Sequence, residues 1–249
     1  HLLMLARAMI KAACALVLFA MGASPVSAAS VGVSPVRATL SANQKIEAIT
    51  VSNSGTEPMS VQLEVMKWSR QSGQDSFTAT RELLVNPPIF TVQPGGSQLI
   101  RAGLRRPPDA RHELTYRIFM QELPPPPDPD FMGTKMLMRV SIPVFVLPAL
   151  GVQSDLRWQA AYTSDGALKI SLSNLGNTHI QVANFSLSLP GTAQPWITQQ
   201  SSTYVLHGQS HDWILPVSAE NPALLPGATL QIFAQTDAGD MEAEVVIAP

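Results

Sequence analysis

Few residues in this 249-residue chain stand at spacings that could do covalent chemistry. His207 and His211 lie four apart with Asp212 adjacent, which invites a metal reading. Gly208 lies between them in a strand-like segment, so the one-faced i, i+4 geometry of a helical zinc pair is not expected, and a solvated loop is the better reading. No Gly-x-Ser-x-Gly elbow presents a serine. His112 and His179 have no recognisable nucleophile partner, and no glycine-rich loop is built to cradle phosphates. The residue types therefore point to no enzyme, no cofactor and no metal.

What does stand out is the chemistry of recognition. In Thr134–Pro148, TKMLMRVSIPVFVLP, the residues Met136, Met138, Val140 and Ile142 alternate with Lys135, Leu137, Arg139 and Ser141. That is the period of a β-strand. Methionine leads one face, and its flexible thioether suits surfaces that must adapt to several partners. Directly upstream, ELPPPPDPDFMG is too proline-rich to pair inside a sheet. A strand that begins with exposed apolar residues and then enters a core can offer one edge to a visiting chain. Beyond Pro143 the alternation stops, and Val144–Leu147 reads as the part fixed in its own core.

The elements that must position this strand are themselves strands. Short alternating segments recur every 10–15 residues between Gly, Pro, Asn and Ser. In the first half they are Ala48–Asn53, Ser60–Trp68, Ser97–Leu104, Glu113–Leu123 and Thr134–Leu147, preceded by an edge strand over Val31–Leu40 that Pro35 interrupts. The second half repeats the rhythm in Leu156–Thr163, Leu168–Asn174, Ile180–Leu189, Thr203–Leu206, Asp212–Val217, Thr229–Thr236 and Glu242–Ile247. Ser164-Asp165-Gly166 and Ala238-Gly239-Asp240 read as hairpin turns. About seven strands per roughly 110 residues is the rhythm of an immunoglobulin-like sandwich, so the fold class is all-β with two such domains in tandem. The boundaries fall at 30–149 and 150–249. Thr50-Val51-Ser52-Asn53-Ser54-Gly55-Thr56 resembles Ser171-Leu172-Ser173-Asn174-Leu175-Gly176-Asn177, which suggests related domains. Trp68, Trp158, Trp196 and Trp213 read as strand or domain-interface packing.

Residues 1–29 read as a secretory signal, with Arg7 and Lys11 before the apolar run Ala12–Met21 and small residues at Val26-Ser27-Ala28-Ala29. The apolar run is about half the length that spans a bilayer. Cys14, the single cysteine, lies inside it, and Lys11 spoils a lipoprotein site there. The mature chain then has no thiol, which excludes disulfides and thiolate metal sites. Removing Arg7 and Lys11 from 16 basic residues leaves 14 against 18 acidic ones, a net charge near −4. That balance argues against nucleic acid as a partner, and no further apolar run is long enough for membrane insertion of the mature chain.

Five segments in order, SPVRATL (Ser34–Leu40), ITVSNSG (Ile49–Gly55), NPPIFTVQPGGSQLIR (Asn86–Arg101), TYRIFMQELPP (Thr115–Pro125) and RVSIPVFVLP (Arg139–Pro148), resemble the periplasmic chaperones of chaperone–usher pilus systems. The TYR…ELP and SIPVFV forms resemble the archaic branch associated with spore-coat-U-type pilins. The resemblance implies an L-shaped pair of sandwiches with a cleft between them. It implies donor-strand complementation, in which the chaperone's G strand completes a pilin-like subunit that lacks its last strand and the chaperone delivers it to an outer-membrane usher. The donor positions it implies are Met136, Met138 and Val140, with Ile142 at the end.

The resemblance also implies that basic side chains in the cleft grip the subunit's C-terminal carboxylate. A guanidinium fork suits that task, and a fixed end-point sets the register of an alternating strand. Arg37 aligns with the first-strand arginine of the P-pilus branch. The second anchor of that branch falls here on Ser141 or Pro143, so Arg117 is the best substitute, with Arg139 and Arg101 as weaker candidates. Pro87, Pro88 and Ile89 correspond to the usher-facing surface. The alternative function is a structural or adhesive pilus component. Such a subunit would usually be one sandwich with its own N-terminal donor extension.

Overall fold

The computed structural model describes residues 31–192, 194–216 and 224–249. The segment read as an export signal lies outside the described residues, as does Val217 at the end of one expected strand. Every regular element among the described residues is a strand.

The first half comprises β1 (Val31–Ser34), β2 (Ala38–Leu40), β3 (Ile46–Asn53), β4 (Met59–Gln71), β5 (Gln74–Ala79), β6 (Leu83–Asn86), β7 (Ile89–Val92), β8 (Ser97–Leu104), β9 (Leu114–Glu122) and β10 (Arg139–Val146). One sheet has the order β1-β3-β8-β6; the other runs β2-β10-β9-β4-β5, with β7 also on β4. Because successive strand side chains face opposite ways, each alternating segment sends one set inward. Ile49 and Val51, Ile100 and Ala102, and Tyr116, Ile118 and Met120 are fully buried in one shared core, joined by Ile142, Val144 and Val146 of β10. Each large apolar side chain contributes roughly 1.5–3 kcal/mol by this burial.

The second half comprises β11 (Leu156–Tyr162), β12 (Leu168–Asn174), β13 (Ile180–Ser188), β14 (Ile197–Val205), β15 (Ser210–Leu215), β16 (Thr229–Thr236) and β17 (Gly239–Val246). A three-stranded sheet, β11-β12-β15, faces a four-stranded one, β14-β13-β16-β17. Trp158, Phe185 and Trp213 form an aromatic cluster in its core, with centroids 5.1–5.9 Å apart. The chain is thus two immunoglobulin-like sandwiches in tandem.

The paired Asn-Gly motif has one physical job in both. Asn53 donates from Nδ2 to the carbonyls of Glu57 (2.8 Å) and Val92 (3.0 Å) and accepts from Gly55 N (3.0 Å). Asn174 donates to Thr178 (2.8 Å) and Val205 (3.0 Å) and accepts from Gly176 N (3.1 Å). Each is buried, and each closes its own turn while satisfying a carbonyl from the opposite sheet.

Three features differ from the sequence reading. β5, β6 and β7 are additional strands, and β14 begins at Ile197 rather than Thr203. β5, β6 and β14 are edge or short strands with few buried residues, and β7, though Phe90 and Val92 are buried, is only four residues long, so none carries a readable alternating signature. Conversely, the expected strand Thr134–Leu147 is shorter: pairing starts at Arg139. Thr134–Met138 follows a glycine and a proline-rich run and finds no neighbouring strand along most of its length.

Candidate functional site

β10 is paired unequally on its two sides. Against β9 the ladder is antiparallel from Arg139↔Gln121 to Val146↔Leu114. On the other side β2 covers only Val144–Val146, in parallel. Among the described residues, the edge over Arg139–Pro143 therefore has no partner strand, an arrangement that invites pairing with another chain.

Upstream of that edge, apolar side chains project into solvent. Met132 is 95% exposed and Met136 90%, with Phe131 and Leu137 also exposed. Met138 and Val140 are half-buried and pack against the first core. Met138 is also tethered: Glu122 N donates to its carbonyl (2.9 Å), and its own N donates to Glu122 Oε2 (2.9 Å). Ile142, expected as the last donor position, is 4% exposed within its own sandwich. At that position the molecule has an open backbone edge but no free side chain, because residue 142 shares its face with the core residues Val144 and Val146. Pro87, Pro88 and Ile89 lie where the chain crosses from β6 in one sheet to β7 in the other, with Ile89 exposed. Ile89 pairs with Gln62, which pairs in turn with Gln121 opposite Arg139.

The far end of β10 runs into the junction of the sandwiches. Phe145, Trp68 and Leu206 are buried there, with Tyr204 packed against them. Two of the expected arginines, Arg37 and Arg117, stand at this junction with different partners. Arg37, just before β2, donates from Nη1 to Asp237 Oδ2 (2.6 Å) and from Nη2 to Gln181 Oε1 (2.6 Å) and Tyr204 Oη (3.0 Å). All three acceptors belong to the second sandwich. Burial opposes its charge, but the contacts with Asp237 and Tyr204 outweigh it and raise the guanidinium above its ordinary pKa. Arg37 thus spans the two domains, its guanidinium already held by three acceptors of the second sandwich.

Arg117 is in the opposite situation. Its guanidinium lies 4.0 Å over the Trp68 ring and 5.5 Å from that of Tyr204. Nη1 makes a long hydrogen bond to Ser141 Oγ (3.3 Å), and buried Nε has no partner among the described residues. No carboxylate pairs with it among the described residues. Burial lowers its pKa, only partly offset by Tyr204 and Asp75. Arg117 is thus a desolvated guanidinium stacked on an indole, opposite Pro143 in the ladder and without a carboxylate partner among the described residues, a group chemically able to pair with an anion. Arg139 sits at the distal end of β10, 5.1 Å over Phe119, and Arg101 is exposed in the other sheet.

The sequence reading did not identify the rest of the junction. His179 is held between Glu113 of the first sandwich, Nδ1 to Oε1 at 2.8 Å, and Asp237 of the second, Nε2 to Oδ2 at 2.8 Å. Its ring stacks on Phe145 with centroids 3.6 Å apart and planes 12° apart. These partners are 58 to 66 residues away along the chain, so no local spacing announces them. His207 and His211 do not converge: the first stacks on His112 and the second meets Trp213 edge-on.

Comparisons with known proteins agree with this architecture. Residues 30–151 match the family model described as the pili and flagellar-assembly chaperone, PapD N-terminal domain. No curated protein matches the chain in sequence. Among solved structures, it is similar to a chain of the CsuC–CsuE chaperone–tip adhesion subunit pre-assembly complex from the archaic chaperone–usher Csu pili of Acinetobacter baumannii. The TM-score is 0.63 at 20% identity, covering 89% of this chain and 100% of that one. It is similar to a chain of the SafA pilin–SafB chaperone complex of Salmonella enterica (0.59, 19%, 88% and 96%) and to the E. coli chaperone DraB (0.58, 18%, 86% and 98%). At these identities the structural likeness speaks for the fold, and the family match for descent. The N-terminal sandwich, residues 30–151, thus belongs to the pili and flagellar-assembly chaperone family.

Proposed function

We propose that this chain is a non-enzymatic periplasmic chaperone that captures pilin-like subunits by donor-strand complementation and delivers them to an outer-membrane usher. The observation that carries the reading is the open edge of β10, with exposed Met136 at its entrance and unpaired Arg117 toward its other end. An incomplete sandwich exposes an apolar groove between unpaired edges. A strand laid into it satisfies backbone hydrogen bonds and apolar surface together. Met136, Met138 and Val140 supply the alternating side chains; Ile142 contributes its backbone edge. Arg117 grips the subunit's terminal carboxylate and fixes register. The usher meets the surface around Pro87, Pro88 and Ile89.

The family match and the chaperone chains among the structural neighbours support this reading over a structural or adhesive pilus component. The likeness to the Csu complex favours the archaic branch. Export through residues 1–29 and domains at 30–149 and 150–249 belong to the same proposal; β10 ends at Val146 and β11 begins at Leu156. Co-expression with a small secreted β-rich protein encoded beside it is the direct test. A chaperone yields a soluble one-to-one complex, which Met136→Asp/Met138→Asp abolishes. Normal capture by the folded double variant, or polymerisation of the chain itself, would overturn the reading.

A further inference from the structure

We propose that His179, as an imidazolium, is a positioning residue for this site: it pins the two sandwiches together beneath β10, and deprotonation releases the pin. The effect on capture rests on the chaperone reading; the pin rests on geometry alone.

His179 contacts a carboxylate oxygen at each ring nitrogen, at 2.8 Å both times. Neutral imidazole has one N–H and can satisfy only one; imidazolium satisfies both. Glu113 belongs to the first sandwich, whereas His179 and Asp237 belong to the second, so the bond to Glu113 is the one that crosses the junction, beside the donation from His179 N to the same Oε1 (3.0 Å). Without the second ring proton, Glu113 and Asp237 compete for a single N–H. Glu113 has no exposed side-chain surface, Asp237 has 15% and His179 12%. Asp237 in turn holds Arg37 at 2.6 Å. The order Glu113, His179, Asp237, Arg37 alternates in charge and sums to zero when His179 is protonated. Loss of that proton leaves a net negative charge in a largely dry interface, where an unpaired charge is costly.

Arg37 also spans the junction, but its guanidinium keeps its charge across this pH range, so it does not take over the switch. Phe145 of β10 stacks on the ring and Tyr204 of β14 packs at 5.8 Å, both uncharged. Arg117 lies beyond Tyr204 and is directed at Trp68. His207 lies near Glu113, but burial and the neighbouring His112 lower its pKa; Asp109 lies beside His112. Burial works against the charge on His179 too, yet hydrogen bonds to Asp237 and Glu113 prevail and raise it above 6.5. The pinned ring supports Phe145, two residues past the open edge, so the pin sets where the second sandwich stands relative to the donor strand and Arg117.

The test uses the full mature chain, which has no cysteine from residue 30 onward. Spin labels at Ser97→Cys and Gln231→Cys report the distance between sandwiches, and NMR follows the His179 imidazole. The expected result is a His179 midpoint above 6.5, a narrow distance distribution below it and a broad one above it. His179→Gln should be broad at every pH, and Glu113→Gln or Asp237→Asn should each lower the His179 midpoint. A midpoint at or below 6.5, or a distribution unchanged through the midpoint, overturns the pin. With the co-expressed subunit, apparent affinity should fall above the midpoint in the wild type and be flat with pH in His179→Gln. Affinity flat with pH in the wild type overturns the positioning role while leaving the chaperone reading intact. Failure to capture at any pH counts against the chaperone reading, and the labels and NMR still decide the pin.

Discussion

Arg37 and Arg117 show how one residue type acquires two roles from its surroundings. Arg37 has three acceptors from the other sandwich, whereas Arg117 has an indole beneath it and no acid. Arg117→Ala should therefore weaken subunit binding by about 30-fold or more, the lower end expected for truncating one partner of a buried charged contact. The unfolding midpoint should stay close to wild type, since the lost stacking on Trp68 is offset by removing a desolvated charge that no carboxylate balances. Quantitative pull-down and urea titration would separate the two effects. At Asn53 and Asn174 the order reverses. Each alanine variant leaves buried carbonyls without donors and should destabilise its sandwich by about 2–4 kcal/mol in urea unfolding. Both asparagines were legible in the sequence as a repeated motif, because their bonds are mostly to nearby turns. Arg37's partner Asp237 was not, because 200 residues separate them.

Strands were readable in proportion to how much of them is buried. β3, β8, β9, β12 and β16 alternate in sequence because one face of each meets a core. β5 (QDSFTA) is almost wholly exposed and carries no such pattern. β6 and β7 are divided by Pro87-Pro88, which reads as a turn but marks a change of sheet. In β10 the sequence indicated the apolar face, but the end of pairing at Arg139 depends on what β2 and β9 cover. Two substitutions test this division. Met136→Asp should leave stability within about 0.5 kcal/mol, as expected for an exposed site, while abolishing capture. Ile142→Ala should cost about 2–5 kcal/mol by opening a cavity, measurable by denaturant unfolding.

At the scale of the molecule, the junction should have a pH window. The Asp237 carboxyl is lowered to about 2: burial opposes this, but hydrogen bonds from His179, Gln181 N and Arg37 prevail. Its contribution, about 2 kcal/mol, is present above its ordinary 3.8 and is lost as pH falls toward 2. His179 is shifted upward, so its contribution is complete below 6.5 and is lost as pH rises through the higher folded value. Thermal unfolding followed from pH 2 to 9 should show greatest junction stability between those limits. Asp237→Asn should remove the acid limb, and His179→Gln the alkaline one.

The sequence by itself determined the all-β class, the two sandwiches, the methionine-led face of one strand and the family it resembles. The class and the sandwiches follow from period-two burial and local turn chemistry, and the resemblance from five ordered motifs, all written in neighbouring residues. Only the tertiary structure decided which edge of β10 is open, which arginine is already paired and that His179 joins the domains. Those depend on which distant groups meet in a shared low-dielectric space, and spacing along the chain carries no record of that.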